Sequence, residues 1–239
     1  MGSRLKLIAS LTERGVGVAD VGTDHGILPI TLRQRGYTGR IVASDINVAP
    51  LEKARRALEQ TETENVELCL CNGLDGIDGS GIDTIVVAGM GGDTITGILD
   101  RGLYDLPQWS ERNDYRLILH PVTKPEILRY WLVNNGFEIT DDILVEDNGV
   151  LCQIICAHMG ESIQYKDCEL YIGKYEHISS SEHFLPLADK HIKRFESAAK
   201  GINSSGDESL AAWRDMLLSM ARELREMEER YYDECKTDI

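Results

Sequence analysis

No window of this 239-residue chain approaches the roughly 18 consecutive apolar residues of a membrane span. The opening Met1-Gly2-Ser3-Arg4 runs straight into an amphipathic stretch and shows no signal-peptide core, so a soluble, cytoplasmic protein is expected. Of the six cysteines no two form C-x-x-C, and no Cys/His cluster has zinc spacing, which leaves no metal site to expect. Cys69 with Cys71, and Cys152 with Cys156, each share one strand face, and all six are expected to be reduced core thiols. Positive charge is also scarce. Lys and Arg number 25 against 40 Asp and Glu, a net charge of −15, with acid in excess on both sides of residue 160. Any nucleic-acid partner must therefore be held by local basic patches, and charge alone favours a small-molecule substrate.

What is present is alternation. A helix over 4–14 precedes strands at 16–21, 39–44, 66–71, 83–88 and 115–119, with helices over 26–35, 50–62, 93–100 and 125–135 between them. A hairpin, 137–146 with 150–156, closes around Asn148-Gly149. Strands alternating with helices mean a parallel sheet covered on both faces, and a terminal hairpin points to one antiparallel edge strand. Beyond Gly160 strand patterning stops. Phe184, Ala188, His191, Phe195, Ala198 and Ile202, then Leu210, Trp213, Leu217, Met220, Leu224, Met227 and Tyr231, step by three and four. The spacing predicts an α/β domain over 1–160 and an antiparallel helical coiled-coil domain over 161–239. Such a seam closes within one chain or between two, so the oligomeric state stays open.

In an open parallel sheet, ligands bind at the carboxyl ends of the strands. Four ends here carry suggestive residues. The first strand ends in Asp20-Val21-Gly22-Thr23-Asp24-His25-Gly26; the second ends in Asp45, followed by Ile46; the third ends in Asn72-Gly73; the fourth ends in Ala88-Gly89-Met90-Gly91-Gly92. The dinucleotide fingerprint G-x-G-x-x-G is missing, and D-x-G-x-D-x-G stands in its place. Pyrophosphate needs an anion-friendly turn, whereas two acids suit a ligand with a cationic head. S-adenosylmethionine is such a ligand and fits better than a nicotinamide dinucleotide. A carboxylate at Asp45 can take both ribose hydroxyls, and an amide at Asn72 can read an adenine edge. Taken singly, Asp-x-Gly is also ordinary turn chemistry, and Asp45 could equally cap a helix.

The residues Ser3-Arg4-Leu5, Ile8-Ala9, 19–25, Leu28-Pro29-Ile30, Asn72-Gly73-Leu74, 88–92, Leu117-Ile118-Leu119, Leu128-Arg129, Trp131-Leu132 and Asn135-Gly136-Phe137 resemble the bacterial tRNA (adenine-22-N1)-methyltransferase family, as does the tail with Tyr171-x-Gly173. The resemblance covers essentially the whole chain. It implies a class I methyltransferase (Rossmann-like) seven-stranded sheet with a C-terminal coiled coil, S-adenosyl-L-methionine as cofactor with S-adenosyl-L-homocysteine as product, and tRNA as partner. It places Asp20, Gly22, Asp24, His25, Asp45, Ile46, Asn72, Gly73, Ala88, Gly89, Met90 and Gly91 at the cofactor. It places Asp24, His120 and Pro121 at the target base. Two departures stand out: His120-Pro121-Val122 occupies the position of a Gln-Pro-Asn, and Asp45 stands where Glu is common.

Adenine N1 carries a free lone pair, so no base need remove a proton before attack, and a carboxylate at Asp24 could stabilise the cationic product. Asp24 could also serve a helix dipole or the methionine ammonium. His25 is expected to shape its turn, and Met90 to wall the methyl group. Candidate phosphate contacts are Arg33, Arg35 and Arg40, then Lys53, Arg55 and Arg56, then Lys190, Lys193 and Arg194. Two other readings stay in play: a methyltransferase acting on a small molecule or protein, and a cofactor-binding scaffold without catalysis.

Overall fold

The computed structural model describes residues 2–12, 16–161, 163–202 and 208–237. The chain divides into two units, 1–163 and 164–239. In the first, helix α1 (Ser3–Thr12) leads into β1 (Gly17–Val21), α2 (Ile27–Gln34), β2 (Arg40–Asp45), α3 (Val48–Gln60) and β3 (Glu67–Leu70). Then come β4 (Thr84–Gly91), α4 (Gly92–Asp100), a π-helical turn (Arg101–Asp105), α5 (Pro107–Ser110), β5 (Arg116–Thr123) and α6 (Pro125–Asn134). The unit closes with β6 (Phe137–Asp147) and β7 (Val150–Met159). Residues 13 and 14, expected to end the first helix, lie outside the described residues.

All seven strands form one sheet in the order β3-β2-β1-β4-β5-β7-β6. β1 is buried along its whole length, as a central parallel strand covered on both faces must be. On one face Ile8 and Ala9 of α1 and Leu28 and Leu32 of α2 pack with Val18, Ile41, Val86, Ile118 and Ile154. The antiparallel strand is not the edge expected from the hairpin. β7 inserts between β5 and β6 and is antiparallel to both. Burial explains the choice: Ile154, Ile155, Cys156 and Ala157 form a continuous buried run suited to an interior slot, whereas β6 alternates and carries the exposed edge. Asn148 and Gly149 both take positive φ (53° and 78°), the geometry of a two-residue hairpin turn.

β4 and β5 also run further than their patterns suggest. Met90 pairs with Pro121 and Gly91 with Thr123 across bulges at either side of Met90, so the Gly-Met-Gly segment is the bulged end of a strand. Gly89 takes a φ of 83° to make that bulge.

The second unit holds α7 (Asp167–Ile172), α8 (Tyr175–Ile178), α9 (Phe184–Gly201) and α10 (Glu208–Thr237). α9 and α10 run antiparallel, with Phe184 on Tyr231 (ring centroids 5.6 Å apart) and Glu196 on Arg225 (2.5 Å). Leu217, Met220, Leu224 and Met227 are buried, but Leu210 and Trp213 at the start of the expected seam are 41% and 44% exposed. Pairing Phe184 with Tyr231 brings α9 to its end before α10 reaches these two residues. On α9 the packed face uses Ala199 rather than the expected Ala198, which is exposed.

Candidate functional site

A cleft of about 280 Å³ opens at the carboxyl ends of β1, β2, β3 and β4. Its walls include six residues singled out from the sequence: Gly22, Asp45, Ile46, Asn72, Gly73 and Met90. Gly22 sits in the left-handed region (φ 79°), and a side chain there would strike the methyl end of Met90. That glycine therefore lets the Met90 thioether lie across the first turn. Asp45 is half-buried, and its Oδ1 accepts the Asn47 N–H at 2.8 Å. This bond orients the carboxylate and leaves Oδ2 for a ligand. Asn47, not Asp45, is the residue that precedes α3 as its cap.

Val21 at the end of β1 and Ser44, Asn47, Cys71, Thr94 and Ile98 complete the wall, and the last five were not foreseen. Thr94 and Ile98 share one face of α4, and their i,i+4 spacing was the available signal. Ser44 Oγ is buried with no hydrogen-bond partner in the protein, an orphaned polar atom on a residue of the cleft wall.

Asp20 lies beneath the turn, 7% exposed; burial pushes its carboxyl up to about 6, offset in part by the Thr23 hydroxyl. A buried carboxylate in that state gains from a cationic partner. Asp24 is different: its side chain is 76% exposed, with Oδ1 at 3.3 Å from His25 Nε2. It lies two residues before the α2 cap, Gly26, and no side chain caps that helix. His25 takes a φ of 59°, a strained setting for a side-chain-bearing residue, and it turns the chain between Asp24 and α2.

His120 and Pro121 are buried. Gly89 N–H donates to His120 Nδ1 at 3.1 Å, and an Arg4 guanidinium nitrogen stands 3.4 Å from the same atom. Burial first, then the Arg4 charge, pulls the imidazole down to about 4. The ring is therefore neutral at pH 7, with its proton on Nε2, and its Nδ1 fixes the Gly89 bulge. Ala88, Gly89 and Gly91 shape the same bulge without lining the cleft.

The basic candidates divide sharply. Arg33 donates to the carbonyls of Tyr37 (2.5 Å) and Asn65 (2.6 Å), and Arg40 grips both carboxylate oxygens of Glu67 at 2.8 Å. Both guanidiniums hold loops and edge strand together. Arg55 pairs with Glu52 and Lys193 with Asp189, while Arg194 lies over the Tyr171 ring. Lys53, Arg56 and Lys190 are exposed, as is Arg35 at the end of α2. No cluster of three or more His, Cys, Asp or Glu able to hold a metal occurs among the described residues, and no described helix is long and apolar enough to cross a membrane.

Comparison with known proteins places this geometry. The tRNA (adenine(22)-N(1))-methyltransferase of Bacillus subtilis (strain 168) is 28% identical over 162 residues, a match spanning 67% of this chain and 66% of that protein. Sp1610 of Streptococcus pneumoniae superposes with a TM-score of 0.80 at 28% identity, covering 94% of this chain and 99% of that one. It has also been solved in complex with S-adenosyl-L-methionine. The B. subtilis M1A22 tRNA methyltransferase TrmK shares the fold with a TM-score of 0.82 at 23% identity, over 94% and 98% of the two chains. A family described as "Methyltransferase domain" matches residues 1–155, and with its cleft, strand order and bulged β4 end the chain belongs to that methyltransferase family.

Proposed function

We propose that this chain transfers a methyl group from S-adenosylmethionine to N1 of adenine 22 in the D-arm of tRNA. The observation that carries the reading is the cleft: a nucleoside-sized space between Asp45 and Asn72-Gly73, with a buried acid below its first turn instead of a phosphate cradle. The unpartnered Ser44 hydroxyl and the desolvated Asp20 both suit that cofactor. The tRNA half of the reading is supported by the motifs and by the relatives' established substrates.

When bound, S-adenosylmethionine supplies a methyl group already activated on a sulfonium. Asp45 would accept ribose hydroxyls, Asn72 and Gly73 would border the adenine, and Asp20 would sit toward the amino-acid end as an anion. Met90, held over Gly22 in the cleft wall, would bound the methyl-bearing part of the cofactor. Asp24, exposed at the rim, would accept a hydrogen bond from the exocyclic amine of the target base and stabilise the positive charge that N1 acquires. The enzyme's task is then positioning, since the nucleophile needs no deprotonation. Extruding the target base costs a few kcal/mol, which phosphate contacts must supply.

Transfer of labelled methyl to an unmodified tRNA transcript with adenine 22, beside a guanine-22 transcript, tests the reading. Signal on the adenine transcript alone is expected. Signal on both would overturn the choice of nucleotide. Signal on neither, with S-adenosylhomocysteine still bound, would favour the small-molecule or protein substrate that the net charge of −15 suits. In D24A, turnover should fall by at least tenfold with cofactor affinity kept; unchanged turnover removes Asp24 from the mechanism, and a wild-type protein that binds cofactor but methylates no acceptor class would be a scaffold.

A further inference from the structure

The cysteines are not uniformly core. Cys152, Cys156 and Cys168 are buried, but Cys69 and Cys71 are half-buried and Cys235 is exposed. Cys69 lies on β3, the edge strand of the sheet, and Cys71 follows directly after that strand ends at Leu70. Both point under the loop that follows. Cys69 Sγ donates to the Gly76 carbonyl (3.4 Å) and Cys71 Sγ to the Gly73 carbonyl (3.5 Å). A side chain on Gly76 would begin 3.1 Å from one sulfur and 3.4 Å from the other, so the two thiols converge on one spot. Cys71 is also part of the cleft wall, beside Asn72 and Gly73.

We propose that Cys69 and Cys71 form a dithiol site for a thiophilic trivalent metalloid, and that filling it closes the nucleoside end of the cleft. The second half rests on the reading of that cleft as the cofactor site. Two other thiol chemistries fit less well. Residues two apart in extended chain have Cα atoms roughly 6.6 Å apart, at the upper edge of what a disulfide spans, so direct S–S closure asks the backbone to pucker where β3 ends. Oxidation by peroxide needs a thiolate, and here burial, with the neighbouring Cys71, pushes Cys69 up to about 11. A trivalent arsenical asks for neither. It bridges two sulfurs through one additional atom, and it condenses with neutral thiols: an arsine oxide, R–As=O, takes two S–H groups to give R–As(S–Cys)₂ and one water, without change of oxidation state. The product would carry its R group on the arsenic, beside the Cys71 sulfur at the cleft wall.

Phenylarsine oxide on the full chain is the probe. One equivalent should give a single adduct by native mass spectrometry, mapping to the peptide that contains Cys69 and Cys71. A dithiol should remove it and an equal concentration of monothiol should not. S-adenosylhomocysteine should bind the adduct at least tenfold more weakly than it binds the untreated protein. In C69S the stoichiometric adduct should be lost and cofactor affinity kept; in C235S the adduct should persist. An adduct that maps to Cys152, Cys156 or Cys168, that survives C69S, or that leaves affinity unchanged overturns the proposal. If S-adenosylhomocysteine fails to bind even the untreated protein, the cofactor reading falls, while the adduct map still decides the dithiol.

Discussion

His120, which stands where the resemblance would put a glutamine, supplies a buried acceptor at the end of β5. Its Nδ1 accepts the Gly89 N–H inside the protein, so what the bulge needs at this position is a buried acceptor. Glutamine can supply one and alanine cannot. H120Q should therefore hold cofactor affinity within a few-fold, whereas H120A strands a buried N–H at about 1–3 kcal/mol and should weaken it roughly tenfold or more. Calorimetric titration with S-adenosylhomocysteine separates the two, and equal losses in both variants would point instead to a role for the imidazole itself. The pH dependence has a definite sign. With a native value near 4 against 6.5 unfolded, the unfolded chain binds the extra proton first, so this residue's contribution is complete above 6.5 and is lost as pH falls toward 4. The stability gap between wild type and H120Q should move in the destabilising direction for wild type across that window.

Asp20 pulls the other way. Its carboxyl stands near 6 in the fold against 3.8 unfolded, so the native state holds the proton more tightly and ionisation above pH 6 costs on the order of 3 kcal/mol. D20N should therefore melt higher than wild type at pH 7.5, with the advantage fading as pH falls from 6 to 3.8. It should at the same time bind S-adenosylhomocysteine more weakly, because the anion opposite the amino group is gone. A D20N protein that is no more stable than wild type at pH 7.5 would mean that the buried carboxyl carries no such cost.

At the scale of elements, legibility followed the hydrogen-bond ladder. The strand ends carrying Gly22, Asp45, Asn72-Gly73 and Met90 could be read because turn chemistry and apolar runs mark where a strand stops. Three features could not. The slot taken by β7 depends on competition between two edges, which alternation does not encode; the extension of β4 and β5 depends on bulges that place glycine and proline in a ladder; and the loss of Arg33 and Arg40 to carbonyls and a carboxylate depends on loops distant in sequence. β6 and β7 also depend on a buried ion pair that no local pattern announces. Arg129, 0% exposed on α6, meets Asp142 of β6 at 2.6 Å and Gln153 of β7 at 2.6 Å. Removing one partner leaves an uncompensated charge in the interior, so D142A should lose about 3–5 kcal/mol in chemical denaturation. Replacing both ends, as in R129M/D142L, should recover most of it. A loss under 1 kcal/mol in D142A would show that the hairpin is held by its apolar face alone.

At the scale of the whole molecule the tension is between a net charge of −15 and the polyanionic substrate proposed for it. Long-range attraction cannot bring the two together; contact must come from a few cations that the fold leaves at the surface. The structure shortens that roster. Arg33 and Arg40 are committed within the protein, Arg55 and Lys193 share an acid on their own helices, and Arg194 lies over Tyr171; Lys53, Arg56 and Lys190 are exposed, as is Arg35, which keeps a contact within the protein. Each neutralised phosphate contributes roughly −0.7 to −0.9 to the slope of log K against log salt, so about four contacts predict a slope near −3. K53E/R56E should flatten that slope by about 2 and weaken tRNA binding at every salt concentration, with S-adenosylhomocysteine affinity unchanged. A wild-type slope near zero would mean that shape and base contacts hold the tRNA without these cations. A slope of −6 or steeper would mean that arginines now seen gripping carbonyls and carboxylates let go when RNA arrives, and the stability of the β3 edge, where Arg40 clasps Glu67, would then become part of substrate recognition.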